Sequence, residues 1–272
     1  MRSILITGCS TGIGHHCAHA LRARGWRVFA SCRKAEDCDR LRSEGFHSPR
    51  IDYEEPDAIA SGMADVLAAT DGTLDALFNN GAYAIPALME DLPPDALRAI
   101  LEANVVGWHD LTRRAIPAMR AQGHGRIVQC SSVLGFVAGP WRGAYVTTKF
   151  ALEGMTQSLR LDLRGTGIHV ASIQPGPITS RFRANALYQF RRWIDADASP
   201  NAARYADLLT RQESAAKATF ELGPEAVAKA LIHAVEHPRP RPTYRVTVPT
   251  RIAHYMKHIL PTRVLEAVLA RQ

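Results

Sequence analysis

A chain of 272 residues with 46% hydrophobic content is large enough for one α/β domain with a continuous core, and it needs no staple or metal to hold it. Five scattered cysteines, at 9, 17, 32, 38 and 130, never fall in a Cys-x-x-Cys spacing, which argues against a disulfide framework or zinc site and fits a reducing cytoplasm. The formal charge of +7 is spread along the chain, so it reads as solvated faces plus affinity for an anionic cofactor, not as a nucleic-acid groove; no run of about 18 apolar residues offers a bilayer span.

The apolar run Ser3-Ile4-Leu5-Ile6 leads directly into Thr7-Gly8-Cys9-Ser10-Thr11-Gly12-Ile13-Gly14 and then into the helical pattern of residues 17–21. This reads as strand, glycine turn and helix. Gly8, Gly12 and Gly14 permit close backbone approach, and the N–H groups of Ser10, Thr11, Ile13 and the helix start can receive a pyrophosphate, so a dinucleotide is expected. His15, His16 and His19 lie on or beside that helix with no carboxylate or cysteine completing a set, and no metal site is expected.

Residues 26–32 read as the second strand, ending in Arg33-Lys34 where an acidic residue would suit NAD. Two cations suit a 2′-phosphate, so NADP(H) is preferred, Arg33 by virtue of its fork; Glu36 and Asp37 nearby keep NAD(H) in play. Asp52 either accepts a hydrogen bond from the adenine amino group or ends a strand. Further helical patterns cover 58–70, 95–122 and 147–164, with apolar strands at 74–78 and 169–173. The alternation predicts a single Rossmann-like domain over 1–272, a doubly wound parallel sheet with helices on both faces. A Pro-rich connector at 237–242 precedes a last strand at 244–248. Residues 250–272 then form a basic, amphipathic helical extension that admits peripheral membrane contact or covers the domain or a partner subunit.

Tyr145 and Lys149 stand four residues apart, one helical turn, which brings a phenol and an ammonium together. A neighbouring cation favours phenolate, and such a pair can serve as an acid–base catalyst near neutrality.

The glycine turn at 7–14, Asn79-Asn80-Gly81-Ala82, Asn104, Ser131-Ser132, Tyr145-x-x-x-Lys149 and Pro175-Gly176-Pro177 together resemble the short-chain dehydrogenase/reductase family over residues 2–180. The resemblance implies that Tyr145 is the acid or base, that Lys149 lowers its pKa and holds the nicotinamide ribose, and that Ser132 binds the substrate oxygen. Ser131 is then structural. Asn104 fits a water-binding relay position, or else is a helix-bending amide satisfied by backbone. The family's Asn-Asn-Ala-Gly appears here with its last two residues exchanged, moving by one the position that tolerates positive φ; Asn80, Gly81 and Ala82 are still expected to border the cofactor. Pro175, Gly176, Ile178 and Thr179 resemble the segment that contacts the nicotinamide carboxamide.

By the same resemblance, residues 178–222 form a substrate lid whose aromatic and aliphatic side chains make an apolar pocket. Ser132, Leu134, Tyr145, Phe182 and Tyr188 are its expected lining, with residues 83–86 and 133–137 completing the wall. The expected activity is NADP(H)-dependent interconversion of an apolar aldehyde or ketone and its alcohol, similar to the steroid- and retinol-dehydrogenase-like branch. The family also implies a homodimer or homotetramer. A nucleotide sensor or scaffold with little turnover is the alternative.

Overall fold

The computed structural model describes residues 1–213 and 219–271. Its strands are β1 (Ser3–Ile6), β2 (Arg27–Ala30), β3 (Ala76–Asn79), β4 (Gly125–Cys130), β5 (Ile168–Gln174) and β6 (Thr243–Arg245). All pair in parallel, in the order β2-β1-β3-β4-β5-β6. Leu5 lies opposite Phe29 on one side and Leu77 on the other. Beyond β2, the isolated pairings Phe29 with His47 and Cys32 with Arg50 carry a remnant of a further edge strand. The central strands are buried on both faces, which is why they read as unbroken apolar runs and not as alternating ones.

The helices are α1 (Gly12–Arg22), α2 (Ala35–Ser43), α3 (Pro56–Ala69), α4 (Pro94–Leu101), α5 (Gly107–Ala121), α6 (Gly143–Asp162), α7 (Phe182–Trp193), α8 (Ala202–Glu213), α9 (Glu225–Glu236), α10 (Val248–Ile259) and α11 (Thr262–Leu269). α1 packs on α9 and α3 on α5, while β4 touches α5 and α9 and β5 touches α6 and α9. Helices therefore cover both faces, as the alternation predicts. None of the described helices is long and apolar enough to cross a membrane.

Three boundaries differ from the sequence reading. The expected helix over 95–122 is interrupted by a π-helical turn at Glu102–Val106 between α4 and α5. Its cause is the buried Asn104, whose Oδ1 accepts from Tyr83 N while Nδ2 donates to Tyr83 O and to Thr148 Oγ1. α6 begins at Gly143, so Tyr145 sits in its first turn. The last strand stops at Arg245 instead of reaching 248, because Thr247 caps α10 through Thr250 N and Pro249 occupies the helix's first turn.

A smaller apolar cluster stands beside the sheet core. It unites Tyr83, Ile85, Tyr145, Phe190, Ile194 and Tyr205, so it joins α7 and α8 to the end of β3 and the start of α6.

Candidate active site

The glycine turn follows β1 at the point where chain connections leave β1 and β3 in opposite directions, the place where parallel sheets bind nucleotides. Each glycine has its own reason. Gly8 and Gly12 have φ of 67° and 62°. A Cβ on Gly8 would come within 2.6 Å of Gly81 Cα, and one on Gly14 would overlap the Gly8 carbonyl oxygen. The 80–82 segment thus lies against the turn, fastened by Asn80 Nδ2 donating to Thr7 O at 3.1 Å and Asn80 N donating to Thr7 Oγ1 at 2.9 Å. Gly81 and Ala82 are not among the positive-φ residues, which corrects the expectation drawn from their exchange. The glycine demanded by this approach is Gly8: a Cβ on Gly81 would lie 3.4 Å from Gly8 Cα, an ordinary contact.

α1 starts at Gly12 with neither a side-chain cap at Thr11 nor an acidic residue in its first turn. Its free N–H groups and the positive end of its dipole suit the pyrophosphate of a dinucleotide. Across from it, the Pro175–Ser180 segment follows β5 and approaches closely, with a Cβ on Gly12 falling 3.0 Å from Ser180 Cβ. Ile178 pairs with Leu222, and Thr179 Oγ1 donates to Glu221 at 2.7 Å, so the hydroxyl expected at the nicotinamide is already bonded to a carboxylate. Arg33 and Lys34 are exposed beyond β2, and Lys34 is the residue before α2. The Arg33 charge acts on Glu54 and Tyr83. Asp52 Oδ1 accepts from Glu54 N at 3.1 Å, which commits one of its oxygens to a local turn.

Ser132, Tyr145 and Lys149 converge above this cradle, all buried. Ser132 Oγ accepts from Leu134 N at 3.1 Å and also serves the Tyr145 phenol as a hydrogen-bond partner. Ser131 points elsewhere, toward Gly135, where an added Cβ would meet its Oγ at 2.7 Å. Lys149 Nζ lies 5.4 Å from the Tyr145 ring centre, 4.5 Å from that of Trp108, and donates to Cys130 O at 2.8 Å. Burial pushes Lys149 down from 10.5 to about 8, opposed by Cys130 and Glu153. Burial likewise holds the Tyr145 phenol well above its ordinary value, reinforced by Cys130; Ser132 and Arg142 act the other way. Arg142 is thus a cation that favours the phenolate. The side-chain amide of Asn104 is bonded to Tyr83 and Thr148, matching the helix-bending reading of that residue.

The lid residues divide by helix face. Phe182, Ala186 and Phe190 recur every four positions on the inner face of α7, and the Phe182 ring stands edge-on to Tyr145 at 5.3 Å. Leu134 packs against the same cluster. Tyr188 falls on the opposite face and is 66% exposed, so the fold separates it from the other expected pocket residues. Tyr205 from α8 donates to Asp91 Oδ2 at 2.9 Å and accepts from Leu88 N, tying the lid to the wall after β3. Residues 214–218 of the expected lid lie outside the described residues. Clefts of about 390 and 370 Å³ open elsewhere, by Arg160–Val170 and between α6 and α10; Tyr145 itself packs within the lid cluster.

Three neighbours escaped the sequence reading. Trp108 flanks Lys149 and donates from Nε1 to Gly81 O at 2.8 Å; its only signal was a place one turn beyond Asn104. Arg142 stands three residues before Tyr145. Tyr53 OH donates to Asn79 Oδ1 and lies 2.7 Å from Thr7 Oγ1, linking β1 to β3 beneath the glycine turn. The histidines also need correction, because Glu44 at the end of α2 completes a set with His15 and His19.

The short chain dehydrogenase family profile matches residues 2–189. YbbO, an uncharacterized oxidoreductase of Escherichia coli (strain K12), is 37% identical over 268 residues, 98% of this chain and 94% of its own. Human 17-beta-hydroxysteroid dehydrogenase type 1 is 28% identical over 256 residues, 90% and 77% of the two chains. A short-chain dehydrogenase from Streptomyces avermitilis matches in structure with a TM-score of 0.78 at 26% identity, covering 98% of this chain and 96% of that one.

Proposed function

The chain belongs to the short-chain dehydrogenase family and is an oxidoreductase of CH–OH or C=O groups working with NAD(P), and from that premise we propose an NADP(H)-dependent enzyme for an apolar carbonyl or its alcohol. The observation that carries this reading is the burial of Ser132 and Tyr145 together, under an apolar lid and beside the glycine turn.

When bound, the nicotinamide gives or takes a hydride at its C4 atom. Tyr145 Oη then donates its proton to the carbonyl oxygen, or removes one from the alcohol. Ser132 Oγ, which already accepts from Leu134 N, has its own hydrogen to direct at the same oxygen and stabilises the charge that develops there. Arg142 favours the phenolate left behind, and Lys149, near pKa 8, is suited to returning a proton close to neutral pH. Asn104 shapes the helix on which Trp108 and the wall of this site rest.

The residues of the second cluster argue for an apolar substrate, because Phe182, Phe190, Ile194 and Tyr205 offer ring and alkyl surface beside the phenol. The similarity to a hydroxysteroid dehydrogenase agrees with such a substrate. Exposed Arg33 and Lys34 support the preference for a 2′-phosphate. In this reading residues 178–222 serve as the substrate lid and 250–272 as the C-terminal extension. The outward Ile252, Tyr255 and Ile259 of α10 favour cover by a second copy of the chain over packing on their own domain.

The test is fluorescence titration with NADPH and NADH, followed by a screen of apolar aldehydes, ketones and steroids for loss of reduced-cofactor absorbance. Tyr145→Phe is expected to bind cofactor and lose turnover. Near-normal rates in that variant would overturn the assignment of Tyr145. NADPH binding with no turnover across the panel would instead favour the sensor or scaffold reading.

A further inference from the structure

His15 and His19 are four residues apart on α1, so their rings share a face, 4.6 Å between centres. Glu44 follows the last residue of α2 and reaches the same point from a second helix. Its Oε2 lies 2.8 Å from His15 Nε2 and 3.0 Å from His19 Nε2, and the ligand atoms of all three residues fall within 4.8 Å of one another.

Two further histidine pairs with the same spacing test how special this convergence is. His233 and His237 stack at 4.4 Å, and His254 and His258 approach at 4.3 Å. Nδ1 of His233, His237 and His258 is engaged by Tyr244 OH, Arg239 and the His254 carbonyl in turn, and among the described residues no carboxylate completes a group with either pair. Among the described residues, His15, His19 and Glu44 are the one such group of three.

We propose that His15, His19 and Glu44 form a binding site for a divalent transition metal ion, zinc by preference, which clamps α1 to the end of α2. Two imidazole nitrogens and one carboxylate oxygen are borderline ligands suited to zinc, and they leave a fourth, tetrahedral position for water. Calcium and magnesium, which take sets of oxygens, are poorly matched.

The surroundings constrain the site without filling it. Arg40 Nη1 holds Glu44 Oε1 at 2.6 Å, leaving Oε2 as a single donor atom toward the histidines. Phe46 meets the His19 ring edge-on at 4.9 Å and backs it with an apolar wall. Side-chain exposures of 33%, 40% and 25% leave an open approach for a hydrated ion.

Binding requires both Nε2 atoms to be unprotonated. Each neutral ring then carries its hydrogen on Nδ1, and Arg22 Nη2 gives up its 3.2 Å contact with His19 Nδ1 while Nη1 keeps its bond to the Glu44 carbonyl. The clamp bears on the nucleotide cradle, because Arg40 also donates to the Ser10 carbonyl in the glycine turn at 2.6 Å.

The test is calorimetric titration of the full chain with zinc chloride, together with the absorption spectrum of the cobalt(II) form. One ion per chain is expected, with the visible bands of a four-coordinate centre. His15→Ala, His19→Ala and Glu44→Gln should each weaken binding at least about tenfold. The double variant His254→Ala/His258→Ala should bind as the wild type does. In the unmodified protein, zinc should protect His15 and His19 from diethyl pyrocarbonate while leaving His233 and His254 reactive, a readout that does not depend on any variant folding. Absence of zinc binding, binding unaffected by loss of His15 and His19, or protection confined to the other pairs would each overturn the proposal.

Discussion

Lys149 Nζ donates at 2.8 Å to the carbonyl oxygen of Cys130, the last residue of β4, which ties α6 to the strand that leads into Ser132. The ammonium therefore positions both sides of the site besides carrying charge. Lys149→Met removes that bond and the cation over Trp108. Turnover should fall by about 10²–10⁴-fold, the usual span for losing proton-transfer assistance. Steady-state and single-turnover rates with NADPH check this; a rate within a few-fold of wild type would dissociate Lys149 from the chemistry.

The same burial makes Lys149 a source of pH-dependent stability. Its pKa in the fold, about 8, lies below the roughly 10.4 of an unfolded lysine. Between those values the unfolded chain binds the extra proton, so this group's contribution rises with pH. It is fully present above the unfolded pKa and is lost as pH falls through about 8. Other groups titrate in the same range, buried Cys130 among them, pushed up to about 11. The measurable quantity is therefore the difference between wild type and Lys149→Met in urea unfolding. That difference should shift in favour of the wild type by up to about 3 kcal/mol from pH 8 to 10. A difference independent of pH would show that Lys149 ionises normally in the fold.

Two glycine-to-alanine changes should act in opposite directions. At Gly14 the new methyl would overlap the Gly8 carbonyl and approach Asn80 Nδ2 to 2.8 Å, so the turn must open and NADPH affinity should fall at least about tenfold. At Gly154, on the exposed face of α6, a Cβ meets nothing within 4 Å, and Gly154→Ala should stabilise the protein by about 0.5–1 kcal/mol without changing cofactor affinity. Thermal unfolding and NADPH titration of both variants check the pair.

The sheet and the meeting of Tyr145 with Lys149 were legible because each depends on short-range pattern. Buried parallel strands are apolar runs, glycine turns are local, and Tyr145 and Lys149 need only one helical turn to meet. What could not be read depends on packing between distant segments. Glu44 reaches His19 from 25 residues away through the docking of α2 on α1, and no spacing rule announces that contact. Gly8 is kept free of a Cβ by the backbone of Gly81, 73 positions later, and the exchanged composition at 81–82 makes no demand on φ. Trp108 is brought under Lys149 after the π turn at Asn104, and a uniform helical period over 95–122 hides that irregularity. Tyr188 shows a simpler limit: aromatic content does not reveal the α7 phase that turns Phe182 and Phe190 inward and Tyr188 outward.

Arg33 offers the sharpest test of cofactor choice. It is exposed at the end of β2, where the adenosine ribose of a dinucleotide is expected, and its charge bears on the half-buried Glu54. Burial raises the Glu54 carboxyl, and the cations Arg33 and Arg192 counter that rise. Arg33→Ala removes a guanidinium suited to a 2′-phosphate, a charge-assisted contact worth roughly 1.5–3 kcal/mol, or about 10–150-fold in affinity. NADPH binding should weaken by that factor. NADH binding should change little, since its 2′-hydroxyl makes no comparable demand for a cation and Glu54 remains nearby as an acceptor. Paired fluorescence titrations of wild type and variant give the ratio directly, and equal losses for the two cofactors would mean that Arg33 does not discriminate at the 2′ position.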